Sequence, residues 1–198
     1  LSQNVKAKVT CVAPAFTQYL YMSGDANGWS FSDPLYSPAA DGKYTGFMYL
    51  NQNGFKFATQ QDWNGTDYGQ DLVEKGANIV MTEPAGFYKV DLDLTSLTIT
   101  YTAINSVGII GSATPNGWSS DAAMTYNAAQ KCWELDNVTL TTGELKFRAN
   151  SDWVLDWGGS LDNITFKGGN INVTAGKYNI KLYLSCDSKS HCTMELVP

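Results

Sequence analysis

Six tryptophans stand in this 198-residue chain, and four of them lie in Gly-, Asn- and Asp-rich segments where a core residue would be out of place. Trp29 and Trp118 each follow an Asn-Gly pair, a turn-forming dipeptide that lifts an indole out of strand geometry. Trp63 and Trp153 each follow an aspartate, and Tyr68 or Trp157 comes a few residues later. Lys56, or Lys146 with Arg148, marks a cationic strand end just upstream, and Asn78 or Asn170 occupies a Gly-x-Asn turn downstream. This combination suits a sugar. A flat aromatic ring takes the apolar C–H face of a pyranose by dispersion and area burial, and a planar cation or amide meets the adjacent hydroxyls with paired donors. Two aromatics with one Arg, Lys or Asn form a minimal glucose site. Inclined rings fit a curved helical glucan, whereas coplanar rings fit a flat one.

Each of these residues also has a plainer use. A repeated Trp is often a core landmark of a β-sandwich, which applies most to Trp63 and Trp153 and less to Trp29 and Trp118, flanked by Gly and Ser. Lys56 and Lys146 alternate with apolar neighbours, as solvent-facing strand lysines do, so Arg148 is the better ligand candidate. Asn78 and Asn170 can simply form turns. Trp133 lies inside a strand pattern and belongs in the core or at a module interface.

A glycosidase would need two facing carboxylates, one held protonated by its surroundings. Asp62 with Asp67, and Asp152 with Asp156, are the available pairs, but Gln61, Asn64, Gly65 and Gly69 describe solvated turns that leave them ionised and suited to Asx turns. No nucleophile elbow, zinc helix or phosphate loop is present. The single histidine, His191, stands beside Cys186 and Cys192, well short of a four-ligand zinc pattern, so neither metal nor cofactor is expected. Cys186 and Cys192 flank a hairpin end where a disulfide and two free thiols are both open. Cys11 and Cys132 read as buried thiols.

The elements that must position these residues follow from an internal repeat. Gly24–Ser30 returns as Gly111–Ser119, and Phe55–Trp63 returns as Leu145–Trp153. Asp67-Tyr68-Gly69 returns as Asp156-Trp157-Gly158, and Ala85–Tyr88 as Ala175–Tyr178, in the same order. The chain therefore divides near Ile104-Asn105 into two copies, residues 1–104 and 105–198. No Gly/Ser- or Pro-rich spacer joins them, so a fairly rigid pair is expected. Alternating apolar residues at Tyr88, Val90, Leu92 and Leu94, and again at Tyr178, Ile180, Leu182 and Leu184, predict strands with one buried face. Further strands are predicted over Val5–Val12, Tyr19–Ser23, Tyr44–Leu50, Gly54–Thr59 and Leu97–Thr102. In the second copy they fall over Val107–Gly111, Cys132–Leu140, Glu144–Ala149, Asn170–Val173 and Thr193–Val197. The expected fold is all-β: two tandem immunoglobulin-like antiparallel β-sandwich modules.

Composition narrows the partners. A formal charge of −6 lacks the clustered cations that phosphate backbones require, which excludes nucleic acid. No apolar run reaches bilayer length, and the opening Leu1-Ser2-Gln3 reads as a cut end, consistent with a removed export signal or lipid anchor.

Through Gly24–Ser30 joined to Phe55–Gly69, and their repeats, the chain resembles the SusE/SusF outer-membrane starch-binding lipoproteins of gut Bacteroidetes. The resemblance covers nearly the whole chain. It implies strings of immunoglobulin-like modules, tethered at the cell surface through a lipidated N-terminal cysteine that this chain does not contain. It also implies starch binding through an aromatic pair assisted by Lys or Arg and Asn, without catalysis, beside other outer-membrane glycan-uptake proteins. The residues it nominates for carbohydrate binding are Trp29, Lys56, Trp63, Tyr68 and Asn78 in the first copy, and Trp118, Arg148, Trp153, Trp157 and Asn170 in the second. Copy one departs at Ala58, where copy two has Arg148, so unequal sites are expected. Rival readings are another glycan, such as a xylan or host glycan, a purely structural surface sandwich, and a small glycoside hydrolase.

Overall fold

A computed structural model describes residues 16–186 and 189–198. Among the described residues the first module has seven strands: β1 (Tyr19–Gly24), β2 (Asp33–Tyr36), β3 (Lys43–Leu50), β4 (Phe55–Ala58), β5 (Asp67–Tyr68), β6 (Gly86–Asp93) and β7 (Thr98–Ala103). The second has nine: β8 (Val107–Ile110), β9 (Ala122–Asn127), β10 (Cys132–Leu140), β11 (Gly143–Ala149), β12 (Asp156–Ser160), β13 (Asn163–Phe166), β14 (Ile171–Val173), β15 (Gly176–Tyr183) and β16 (His191–Leu196). All pairing is antiparallel.

The repeat in sequence is a repeat in topology. Strand order is β5-β4-β1-β2-β3-β6-β7 in the first sheet and β13-β12-β11-β8-β9-β10-β15-β16 in the second, with β14 on β11. From β5 and β12 onward these are the same path, with β13 added at the edge of the second sheet, and the bridge of Phe55 with Ile79 repeats the pairing of Leu145 with Ile171.

Period-two alternation decides which side chains enter each core. Tyr44, Met48 and Leu50 of β3 and Tyr88, Val90 and Leu92 of β6 join Leu20, Met22, Phe55 and Phe57 in one cluster. Strands from both ends of the sheet feed that cluster, so the sheet folds over on itself as a sandwich. In the second module β9 makes the corner: Ala122–Met124 pair with β8, and Thr125–Asn127 pair with β10. A fully buried Phe or Leu contributes about 1.5–3 kcal/mol by leaving water, so a charge at Val90 or Phe147 would disrupt either core.

The outward residues of β3 and β6 do not face solvent alone. Phe47 meets Trp157 edge-on at 5.7 Å, Phe87 meets Trp133 at 5.6 Å and Tyr126 at 4.8 Å, and Tyr49 stacks on Tyr126 at 6.3 Å. Lys131 pairs with Asp33 at 2.7 Å across the same boundary. The connection is equally tied: Asn150 Oδ1 accepts from the Asn105 and Ser106 amides, and its Nδ2 donates to the Ala103 carbonyl. These contacts hold the two modules in one relative orientation, which fixes the spacing of anything built on their loops.

Short strands escaped the periodicity. Asp33–Tyr36 contains Pro34, Asp156–Ser160 contains Gly158 and Gly159, and Asp67–Tyr68 and Ala122–Asn127 lack a clean apolar alternation, as does Asn163–Phe166. The strand expected over Val5–Val12, and Cys11 with it, lie outside the described residues. No disulfide joins Cys186 to Cys192. The hairpin register sets Cys192 opposite Leu182 and His191 opposite Tyr183, which leaves Cys186 beyond the paired ends, where its Sγ donates to the Pro34 carbonyl of the first module.

Candidate functional site

Each Gly-Trp loop is held by its own backbone. In the first module Asp25–Asn27 form a 3-10 turn that ends at Gly28 in the left-handed region (φ 63°), and the Trp29 amide donates to the Gly24 carbonyl at 2.8 Å. Asn27 braces the loop by accepting from the Gly24 amide and donating to Asp33 and the Met22 carbonyl. In the second module Gly117 has φ 59°, and Thr114 Oγ1 donates to the Gly111 carbonyl. At both glycines a Cβ would meet nothing nearby, so the left-handed turn itself requires them. Trp29 also takes a positive φ of 60°, a strain that turns its indole outward.

The Asp-Trp loops are Asx turns. Asp62 accepts the Asn64 amide at 2.8 Å and Asp152 the Val154 amide at 3.0 Å, as the local sequence predicts. Trp29, Trp63, Trp118 and Trp153 all emerge exposed, at 41, 48, 44 and 44 % of their surface.

In the second module the structure brings Trp118 and Trp153 together. Their ring centres are 6.2 Å apart and their planes are inclined by 38°. Beneath Trp153 lies the Arg148 guanidinium, with Cζ 4.7 Å from the ring centre. Arg148 is only 8 % exposed, and its Nε donates to Asp121 at 2.7 Å. It therefore braces the ring by a cation–π contact and is not free to offer its fork to a ligand. Lys146, 5.8 Å from the same ring, is ion-paired to Asp156. Lys167 also pairs with Asp156, at 2.6 Å, and donates to the Trp153 carbonyl. Burial pushes the Asp156 carboxyl up, but hydrogen bonds and charge from the two lysines more than offset it and hold it below the usual range. Asp156 is thus a buried anchor, not the solvated turn residue that its neighbours suggest, because β12 carries it inward.

Trp157 departs furthest from expectation. It is 1 % exposed, paired across β12 with Phe147 and Phe166 and wedged against Phe47 of the first module. Its ring is packed inside and does not stand on the surface beside Trp118. Trp118 takes instead the nearer tryptophan, Trp153, as its partner. Tyr68, at the same place in the first module, packs half-buried on its core, and burial, with Glu74 adding, pushes its phenol up. Asn170 is exposed and donates to Glu144 at 2.9 Å, and Asn78 is exposed beside Gly54.

The first module arranges its loops differently. Trp63 has Phe31 as its ring neighbour, edge-on at 4.8 Å and 68°, and among the described residues no cation lies over its ring. Ala58, 1 % exposed, occupies the place of Arg148, and Lys56 is bound to Asp67 at 2.7 Å. An apolar edge contact thus replaces the cation as the support of the tryptophan. Phe31 was not singled out in the sequence; its position two residues after Trp29 in a polar loop was the available signal.

Fold and surface together define a class: tandem antiparallel β-sandwich modules that present paired aromatics on their loops. Residues 19–102, the greater part of the first module, match the family model described as SusF/SusE starch-specific CBMs, that is, carbohydrate-binding modules. No curated protein and no solved structure matches the chain. Among the described residues no group of His, Cys, Asp and Glu could hold a metal ion, and no helix is long and apolar enough to cross a membrane.

Proposed function

We propose that this protein binds α-glucan without catalysis, with Trp118 and Trp153 of the second module as its main platform. The observation that carries this reading is the exposed, inclined pair itself: a 38° angle suits the curved face of a helical glucan and suits a flat chain poorly. The family match covers the first module, and the second shares its strand order and motif order, so the same reading extends to it. Trp29 and Trp63, with Phe31, form a second and weaker platform. Two weak sites on one rigid chain raise retention of a long polymer through effective concentration.

The aspartates support a non-catalytic role. Asp67 and Asp156 are paired with lysines, and Asp62 and Asp152 cap turns, so each has a structural use. A cell-surface position at the outer membrane, a lipid anchor upstream of Leu1 and neighbouring glycan-uptake proteins complete the proposal on the strength of the family. Affinity electrophoresis in gels containing amylopectin, xylan or mannan tests it. Retardation by amylopectin alone, lost in the Trp118→Ala/Trp153→Ala double variant, is expected. No retardation in any gel would sink the binding reading, retardation by xylan or mannan instead would move it to another glycan, and release of reducing sugar would restore a hydrolase.

A further inference from the structure

Five large apolar residues of the second module are exposed: Trp118, Trp153, Val154, Phe166 and Leu196. Four of them belong to one neighbourhood. Val154 follows Trp153, and the Lys167 ammonium that holds the Trp153 carbonyl lies 5.4 Å from the centre of the Phe166 ring. Phe166 is half exposed at the sheet edge, leaning edge-on against buried Trp157 at 6.3 Å. Beyond it opens a cleft of about 410 Å³ between the modules. Its walls include Thr45, Phe47 and Lys89 from the first module and Trp157, Thr165 and Phe166 from the second.

We propose that the glucan footprint of the second module continues from Trp118 and Trp153 across Lys167 onto Phe166 and into this cleft, where further glucose residues of the same chain pack. The inference rests on the α-glucan reading above and extends it. Continuity fixes the occupant: one lysine touches both the tryptophan loop and the phenylalanine, so a chain leaving the tryptophan pair meets Phe166 next. The chemistry agrees. Phe166 supplies a flat apolar face, Lys167 is 47 % exposed in its side chain, and Thr45 and Thr165 retain oxygen lone pairs for sugar hydroxyls although their own protons go to Asp91 and the Gly158 carbonyl. Exposed aromatics bridged by one lysine and rimmed by such polar groups mark a binding surface, not a random scatter of apolar residues. Because the cleft has walls from both modules, only a ligand long enough to leave the tryptophan pair feels it.

The consequence is a dependence on chain length that can be read by calorimetry. The full chain carries Trp29→Ala and Trp63→Ala, so that the second module is observed by itself, and is titrated with maltotriose and with maltoheptaose. Phe166→Ala should weaken maltoheptaose roughly five- to tenfold, the value of one aromatic face removed from water, and leave maltotriose within twofold. Phe166→Leu, which keeps apolar cover over Trp157 but removes the flat face, should reproduce the loss and guards against a folding artefact. Trp153→Ala should weaken both ligands. If either Phe166 variant, folded by its near-ultraviolet dichroism, binds maltoheptaose as the parent does, the extension is wrong while the tryptophan platform stands. If the parent binds neither oligosaccharide, the α-glucan reading itself fails.

Discussion

Replacing Arg148 by Met separates a residue that braces the site from one that touches the ligand. The guanidinium is 8 % exposed, sits 4.7 Å from the centre of the Trp153 ring and pairs with an Asp121 side chain that is itself 9 % exposed. Methionine retains the apolar stem and removes the charge, which leaves the Asp121 carboxylate buried without its partner. Breaking such a pair costs about 3 kcal/mol, and loss of the cation–π contact adds ~1 kcal/mol. Urea unfolding of Arg148→Met should fall by that order, and the double variant Arg148→Met/Asp121→Asn should recover most of it, since no charge is then stranded. Glucan binding should not recover. Without the cation beneath it Trp153 loses its fixed tilt, and amylopectin retention should weaken roughly fivefold in both variants, equivalent to ~1 kcal/mol. Retention equal to wild type in the stable double variant would refute the idea that Arg148 positions the platform.

Four further outcomes are expected. Asp156 has a depressed folded-state pKa, so its stabilising contribution is present above the unfolded value, about 3.9, and disappears as pH falls through the lower folded value; amylopectin retention should be flat from pH 8 to about 5 and decline only below about 4. Phe87→Ala removes a ring that contacts both Tyr126 and Trp133; it should cost ~3 kcal/mol and broaden the inter-module distance distribution measured by paired spin labels. Among the three described cysteines, iodoacetamide should label partly exposed Cys186 first, because Cys132 and Cys192 are buried and burial pushes the Cys192 thiol up to about 12; mass spectrometry of the native protein reads this directly. In the first module Trp63→Ala should reduce amylopectin retention less than Trp153→Ala does, since Phe31 supports its ring by an edge contact and no cation.

Much of the fold was legible because it repeats. Two copies of the same ordered motifs forced two copies of one strand path, and the alternation in β6 and β15 located a buried face without any knowledge of its partner. The four loop tryptophans were legible as surface residues for a local reason: Asn-Gly turns and Asx turns form within a few residues and leave an indole no strand to join. Trp157 was misread because its flanking Asp and Gly residues describe a turn, and only pairing with β11 and β13 makes the segment a strand.

The sequence by itself determined that this is an all-β tandem repeat with aromatic-bearing loops, since periodicity and turn chemistry act over short stretches of chain. The tertiary structure alone decided which aromatics meet. Trp118 and Trp153 are 35 residues apart in sequence and come within 6.2 Å only because β8 and β11 are neighbours in the sheet. The same folding turned Arg148 beneath a ring, Lys56 and Lys146 into internal ion pairs, and Trp157 into a wedge between modules. A ring's partner, its tilt and the cation beneath it are set by contacts distant in sequence, which no local pattern encodes.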